Sequence, residues 1–557
     1  MGTATSVFCK NCEENLILTD EVSTENGLVQ GFKLNISDER SANVFLSIPY
    51  AKPPLDDLRL KNPEPCESWA GVRKCTRFVA RAVQTNHYWE DLIINVPKSE
   101  DCLYLNVFSP SLKHDAFPNG YPVLVFLHGG GFAHGSSAKF APTSITKFIC
   151  RYDVVVVTIE YRLGLLGFFY DGLELLGNYG LWDLTMALKW INKNIDNFSG
   201  DSTKVTLFGH GSGAASADLL SISPHSRDLF QQLCLLGGTA ENKFSLPHRQ
   251  RVKDYCRIFA ERKGFIKVDD IFNFTDDSLL EFLQNCQAHN FMSEKNLHQM
   301  KSDEVGLKIG PVVGFTSEEF LPKPISELRK EAPNRRVIVG ASAQEGLLFA
   351  LFGRTRFNEK GIDKILTRVI PNNVFLEADD IRTMAKELYL KEDEEFSRAE
   401  ESQAYIELYS DVLINNAIYE FTEKMIMLDN KVYIYSFDYF NPHSLGLMSL
   451  RTSIRAATYG AELDFTFGSP TFMNYKFTTE DQQMVDLVTR MWTNFVKFGN
   501  PNGPYDDSTI FNFQWEPADS HEPHRFLSIS NNCCMKSENH EERGRFWINI
   551  RNNKSFM

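Results

Sequence analysis

Five residues, Gly209-His210-Gly211-Ser212-Gly213, constrain this chain more than any other stretch. They follow an apolar run, Val205-Thr206-Leu207-Phe208, and precede the small-residue run Ala214-Ala215-Ser216-Ala217. That order reads as a strand, a tight turn and a helix. A G-x-S-x-G elbow has this form, because its serine must stand on a strained turn at the top of a sheet. Here the middle residue is Gly211, so the frame is present and its hydroxyl is missing. Glycine there also relieves a backbone strain on the order of 1–3 kcal/mol that other residues carry in such turns.

The surrounding pattern sets the fold class. Short apolar runs at Val123 to Leu127, Val154 to Ile159, Val205 to Phe208, Val337 to Gly340 and Val432 to Phe437 read as buried strands. Between them, Leu181, Leu184, Leu188, Ile191 and Ile195 recur at helical spacing. Strands alternating with such helices predict an α/β fold with a large, mostly parallel sheet flanked by helices. A second stripe, Met484, Leu487, Val488, Met491, Trp492 and Phe495, ends at the breaker cluster Gly499 to Gly503. It is expected to pack on the core, with a homodimer interface as the alternative. Residues 320–401 read as connecting helices and loops, and Lys391 to Glu401 as a solvated helix face. A core spanning 23–545 as one large domain is expected, with 1–22 as a flexible N-terminus and 546–557 as a tail.

Charge excludes one class of partner. The formal net charge is -14 and no basic block occurs, which argues against nucleic-acid binding. No apolar run reaches the length of a membrane span. Met1 to Asn15 lacks the apolar region of a secretory signal. Gly2 with Ser6 fits the M-G-x-x-x-[ST] pattern of N-myristoylation. One acyl chain anchors weakly and needs a second signal, for which Cys9 and Cys12 are candidates. The 11 cysteines have no regular spacing and read as mostly free thiols, with no metal site and no cofactor expected. Asn35, Asn197, Asn273 and Asn553 lie in N-x-[ST] triplets, which matter only in a secretory compartment.

A second motif sharpens the first. His128-Gly129-Gly130-Gly131-Phe132 follows the strand at Val123 to Leu127. Consecutive glycines after a strand turn backbone N–H groups into one cavity, where a developing oxyanion can be held. With both motifs in place the chain resembles the type-B carboxylesterase and cholinesterase family of α/β-hydrolases. The resemblance is carried further by Ile48-Pro49-Tyr50-Ala51, Ser99-Glu100-Asp101-Cys102, Tyr161-Arg162-Leu163-Gly164, Gly177 to Asp183 and Gly460 to Pro470.

That resemblance assigns places to catalytic residues. The nucleophile falls on Gly211, the acid on Glu345 and the base on Tyr459, so only the acid is kept. The acidic residue usual before the nucleophile is His210. Oxyanion donors fall on the N–H groups of Gly130, Gly131 and Ser212. Glycine supplies no nucleophile, and a phenol of pKa near 10 is a poor base at neutral pH. Glu345, without a histidine to orient, is expected to hydrogen-bond Tyr459 or His210.

The resemblance also bears on compartment and substrate. Secreted members carry a bridge at Cys102, but its partner position is Ala82, and the partner of Cys286 falls near Phe265. Half-bridges of this kind suit the cytosol or a cytosolic membrane face, with the secretory pathway as the alternative. Trp89 does not match the choline-stacking tryptophan of cholinesterases. The expected function is non-catalytic binding of a protein partner or of a small carbonyl or carboxylate ligand. The alternative is a carboxylic ester hydrolase with a displaced nucleophile, Ser212, served by His210 or His134.

Overall fold

The computed structural model describes residues 16–85, 94–112, 115–265, 277–292, 306–352, 357–390, 396–471, 475–504, 511–537 and 541–552. Gly2, Ser6, Cys9, Cys12, Trp89, Asn273 and Asn553 lie outside the described residues.

Eleven strands form the main sheet: β1 (Phe32–Asn35), β2 (Ser41–Pro49), β3 (Tyr104–Pro110), β4 (Tyr121–Leu127), β5 (Val155–Ile159), β6 (Gly200–His210), β7 (Gln232–Leu236), β8 (Arg336–Ser342), β9 (Lys431–Phe437), β10 (Phe526–Ile529) and β11 (Cys534–Lys536). Their spatial order is β11-β10-β9-β8-β7-β6-β4-β5-β3-β2-β1. Every pairing from β5 through β10 is parallel, and both flanks are antiparallel. This is the α/β-hydrolase architecture, with a mixed and mostly parallel sheet.

Why the centre of the sheet is unbroken apolar sequence follows from burial on both faces. Along β4, Val123, Val125 and Leu127 enter one apolar cluster, and Leu124 and Phe126 enter another across the sheet. Helix α1 (Tyr179–Asn194) buries Leu181, Leu184, Leu188 and Ile191 in the first cluster. Helix α7 (Thr479–Phe498) buries Met484, Val488, Met491, Trp492 and Phe495 in the second. Leu487, also of that stripe, is partly buried against the same cluster, so the stripe packs on the core. Thr478 and Asp481 form a capping box at the start of α7, and Gly499 closes it at φ 65°.

Residues 320–401 hold more than connections. Strand β8 belongs to the main sheet, and α4 (Glu345–Phe352) with helices Glu359–Val369, Ala378–Glu387 and Arg398–Ser410 builds a third apolar cluster around Leu351, Ile365 and Tyr405. Trp547, on the last helix α8 (Glu541–Asn552), is buried in that cluster, so the helix runs through position 545.

Two buried ion pairs tie the helices nearest the elbow. Asp183 on α1 takes Arg162 through Nε at 2.8 Å and Nη2 at 2.6 Å. Asp218 on α2 (Ser212–Ile222) takes both Nη atoms of Arg329, at 2.8 and 2.9 Å, and also accepts the N–H of Ala240. Both partners of this second pair are almost fully buried. Removing one of them leaves a charge in the interior. Arg329→Met is therefore expected to lower stability by about 3–5 kcal/mol, as read from urea denaturation midpoints against the parent chain.

Candidate functional site

The elbow forms where β6 ends at His210 and α2 begins at Ser212. Gly211 sits between them at φ 55° and ψ -118°, a conformation that side chains rarely adopt. Three bonds fix the turn: Gly211 N–H donates to Leu236 O at 2.8 Å, Ala215 N–H to Gly211 O at 2.9 Å, and Gly237 N–H to Gly340 O at 2.8 Å. A Cβ on Gly209 would strike the backbone of Gly213, and one on Gly213 would strike that of Leu127. Strand and helix approach too closely for any other residue at either place.

Tyr459 completes the turn from across the site. A Cβ built on Gly211 would stand well inside van der Waals contact of the Tyr459 hydroxyl oxygen. The phenol thus fills the space in front of the elbow. Its ring lies between His210, at 4.5 Å between centroids, and Phe349, at 4.8 Å. Burial, with the nearby carboxyls of Glu345 and Glu462, pushes the Tyr459 phenol up, so it is neutral throughout the physiological range.

Glu345 opens α4 and is fully buried. Its Oε1 accepts the N–H of Ser342 at 2.6 Å, and its Oε2 has no hydrogen-bond partner among the described residues. The expected bond to Tyr459 or His210 is thereby corrected: the carboxyl lies near the phenol but is held by the backbone N–H of Ser342 at the end of β8. Glu462 was not singled out from the sequence, although it lies inside the Gly460 to Gly468 stretch. It accepts the Ser342 hydroxyl at 2.7 Å, so one serine holds both carboxyls. Burial and the neighbouring Glu462 push Glu345 well above the usual carboxylate range. Burial pushes Glu462 up to about 7. Burial therefore favours the protonated form of both carboxyls.

The oxyanion loop faces the elbow. Gly130 and Gly131 have φ 122° and 60°, and a Cβ on Gly130 would meet the His134 carbonyl. The N–H groups of Gly130, Gly131 and Ser212 have no protein acceptor among the described residues. Ser212 is 1% exposed, and its Oγ accepts the Phe132 N–H at 3.2 Å. That hydroxyl points at the oxyanion loop from the first turn of α2. His210 is buried, its Nε2 has no partner among the described residues, and burial pushes its imidazole down to about 3. His134 is half-buried against Gly130. His128 stacks on Tyr161 at 4.7 Å and takes no part in the cluster around Gly211.

The described cysteines are free thiols. Ala82 and Cys102 line the same small void of about 10 Å³, the place where a bridge between these two positions would lie. Among the described residues no His, Cys, Asp and Glu group could hold a metal ion, and no helix is long and apolar enough to cross a membrane.

The buried titratable groups give opposing pH dependences. Glu462 is raised from 4.5 to about 7 by folding, so its contribution to stability is full below pH 4.5 and lost as pH rises through 7. His210 is depressed from 6.5 to about 3, so its contribution is present above pH 6.5 and lost as pH falls toward 3. Glu462→Gln removes the first and keeps the second. The stability of the variant minus that of the parent is expected to grow with pH between 4.5 and 7, by up to ~1.4 kcal/mol per pH unit. Urea melts of both chains across that window check it.

The family model that matches is that of the carboxylesterase family, over residues 19–547. Among the similar proteins, Esterase cest-33 of Caenorhabditis elegans is 34% identical over 517 residues, covering 91% of this chain and 90% of that protein. Cholinesterase of Mus musculus is 27% identical over 521 residues, covering 90% and 81%. The Fatty acyl-CoA hydrolase precursor, medium chain, of Anas platyrhynchos is 29% identical over 552 residues, covering 95% and 92%. A family match across nearly the whole chain, on a sheet and elbow of this form, means that the chain belongs to the type-B carboxylesterase family of α/β-hydrolases.

Proposed function

We propose that this chain is a non-catalytic member of its family that uses the retained fold and oxyanion loop for binding. The observation that carries the reading is the fit of the Tyr459 hydroxyl against Gly211. The space a nucleophile's side chain would need is filled by a neutral phenol. Acyl transfer needs an oxygen nucleophile, a base that takes its proton and an acid that orients the base. On this reading Gly211 offers no oxygen, Tyr459 no basic nitrogen, and burial disfavours the ionised Glu345 that would steady a cation.

What remains usable are the free N–H groups of Gly130, Gly131 and Ser212. They suit a small ligand that presents a carbonyl or carboxylate oxygen, which is the partner class proposed for the site; a protein partner is the other. Acylation at Gly2 would add peripheral attachment to a cytosolic membrane face, the location we propose. Intact-mass analysis of the N-terminal peptide from a eukaryotic host tests this: a myristoyl mass increment is expected, and an unmodified glycine overturns it.

A second reading has its own support. The relatives bear the names of esterases, cholinesterases and a hydrolase, and Ser212 lies one residue from the elbow position. Its hydroxyl faces Phe132 N–H, with no histidine among its hydrogen-bond partners. A fluorophosphonate probe and a short-chain nitrophenyl ester separate the two readings. No labelling and no turnover above buffer is expected of the native chain; stoichiometric labelling at Ser212 overturns the non-catalytic reading.

Restoring the missing groups tests the steric part. Gly211→Ser alone must place a side chain against Tyr459 in a strained turn, and is expected to lose roughly 2–5 kcal/mol of stability without gaining activity. Gly211→Ser combined with Tyr459→His removes the clash and supplies a base. Ester turnover at least ~10³ above the single variant is expected, since serine and histidine act as a unit. A double variant that folds and stays inert would show that Glu345 and the oxyanion loop no longer serve hydrolysis.

A further inference from the structure

One cavity lies away from the elbow. It measures about 270 Å³ and sits at the carboxyl ends of β8 and β9. Its walls come from a π-helical turn (Asp411–Asn415), helix α5 (Asn416–Met427), the end of β11 and α8. Neither Gly211 nor Tyr459 lines it. The carboxyl ends of parallel strands are where open α/β sheets accept ligands, and π-helical turns cluster at functional sites.

Charge in the cavity is balanced. Asp438 lies 3.7 Å from Lys536, and Asp411 lies 3.0 Å from Arg543. His524, on the far wall, lies 3.4 Å from Glu423. Nothing there is left over to hold an ion. Hydrogen-bonding capacity, by contrast, is left over. Asn416 is 5% exposed, lines the cavity, and its side-chain amide has no partner among the described residues. Asn415 donates through Nδ2 to Asp411 at 2.9 Å, which leaves its Oδ1 unbonded among the described residues.

An amide offers donors and an acceptor together, and a hydroxyl is the smallest group that answers both. Tyr419 also lines the cavity, with its ring stacked on His524 at 3.5 Å and packed on the other side by Gly544 of α8, where a Cβ would come within 2.9 Å, so the ring is held rigidly and both of its faces are taken. A polyol presents several hydroxyls on one small frame, which is the complement of two neighbouring amides with unused donors and acceptors. The volume suits one ring, since ligand sites of ~300 Å³ are the small end of the range. Entry is at Lys536 and Asp438, whose side chains stay 49% and 25% exposed.

We infer that the cavity framed by Asn416, Asn415, Tyr419, Asp438 and Lys536 is a binding site for a small neutral polyhydroxy ligand of monosaccharide size. It is independent of the reading proposed for the elbow.

The test titrates the full chain calorimetrically with hexoses and inositol, with a hexose phosphate and a uronic acid as charged analogues, and with cyclohexanol as the apolar one. Saturable binding of at least one neutral polyol, tighter than both charged and apolar probes, is expected. Asn416→Leu should weaken it about ten-fold or more, while the Gly211→Ser, Tyr459→His variant binds as the parent does. If Asn416→Leu does not fold, Lys536→Met at the rim serves, with a smaller loss expected. Binding of the charged or apolar probes alone, no binding of any probe, or polyol binding unmoved by every folded variant at Asn416 and Lys536 overturns the proposal.

Discussion

The site rests on how closely the elbow backbone approaches its neighbours. Gly213 lies against the carbonyl of Leu127, and Gly209 against Gly213, at distances that exclude any Cβ. Gly238 packs in the same way on the carbonyl of Gly211. Main chain from β4, β6, β7 and α2 is thereby locked into one rigid corner, and the position of Gly211 has almost no freedom. What fills the space in front of it is then decided by one side chain, that of Tyr459. Glycine at the elbow and tyrosine opposite form a matched pair of volumes. Either change without the other would leave a cavity or a clash, each of which destabilises a buried site.

Electrostatics follow from the same exchange. A histidine beside Glu345 could carry positive charge and keep the carboxyl ionised. A phenol cannot, so burial governs, and Glu345 and Glu462 share a neutral pocket held together by the N–H and hydroxyl of Ser342. His210 is neutral for the same reason, with no anion beside it to offset desolvation. Burial thus favours the neutral form at each titratable member of the cluster, which comprises two carboxyls, an imidazole and a phenol.

Periodicity and turn chemistry made much of this legible from sequence. The runs at Val123, Val205, Val337 and Val432 are strands, and the stripes of α1 and α7 are buried, because a doubly covered sheet leaves few other solutions. The elbow and the glycine loop were legible as motifs. The partner of Glu345 was not. Ser342 precedes it by three residues and Glu462 follows it by 117, and no local pattern says which way a buried carboxyl turns. Nor does a sequence show that the Tyr459 oxygen reaches Gly211, which is a relation of volumes between distant segments. The polar cavity at Asn416 was equally hidden, since its walls come from six separate stretches.

Burial that favours neutral groups behind three N–H donors also selects among ligands. On the proposed binding reading, a carboxylate entering the oxyanion loop would give up its hydration and receive mainly amide dipoles in return. A ligand carbonyl gives up far less. As pH rises through 7, Glu462 begins to ionise behind the site, and an anion there becomes less favourable still. On that reading the elbow favours an uncharged carbonyl, such as an ester or amide that the loop can hold.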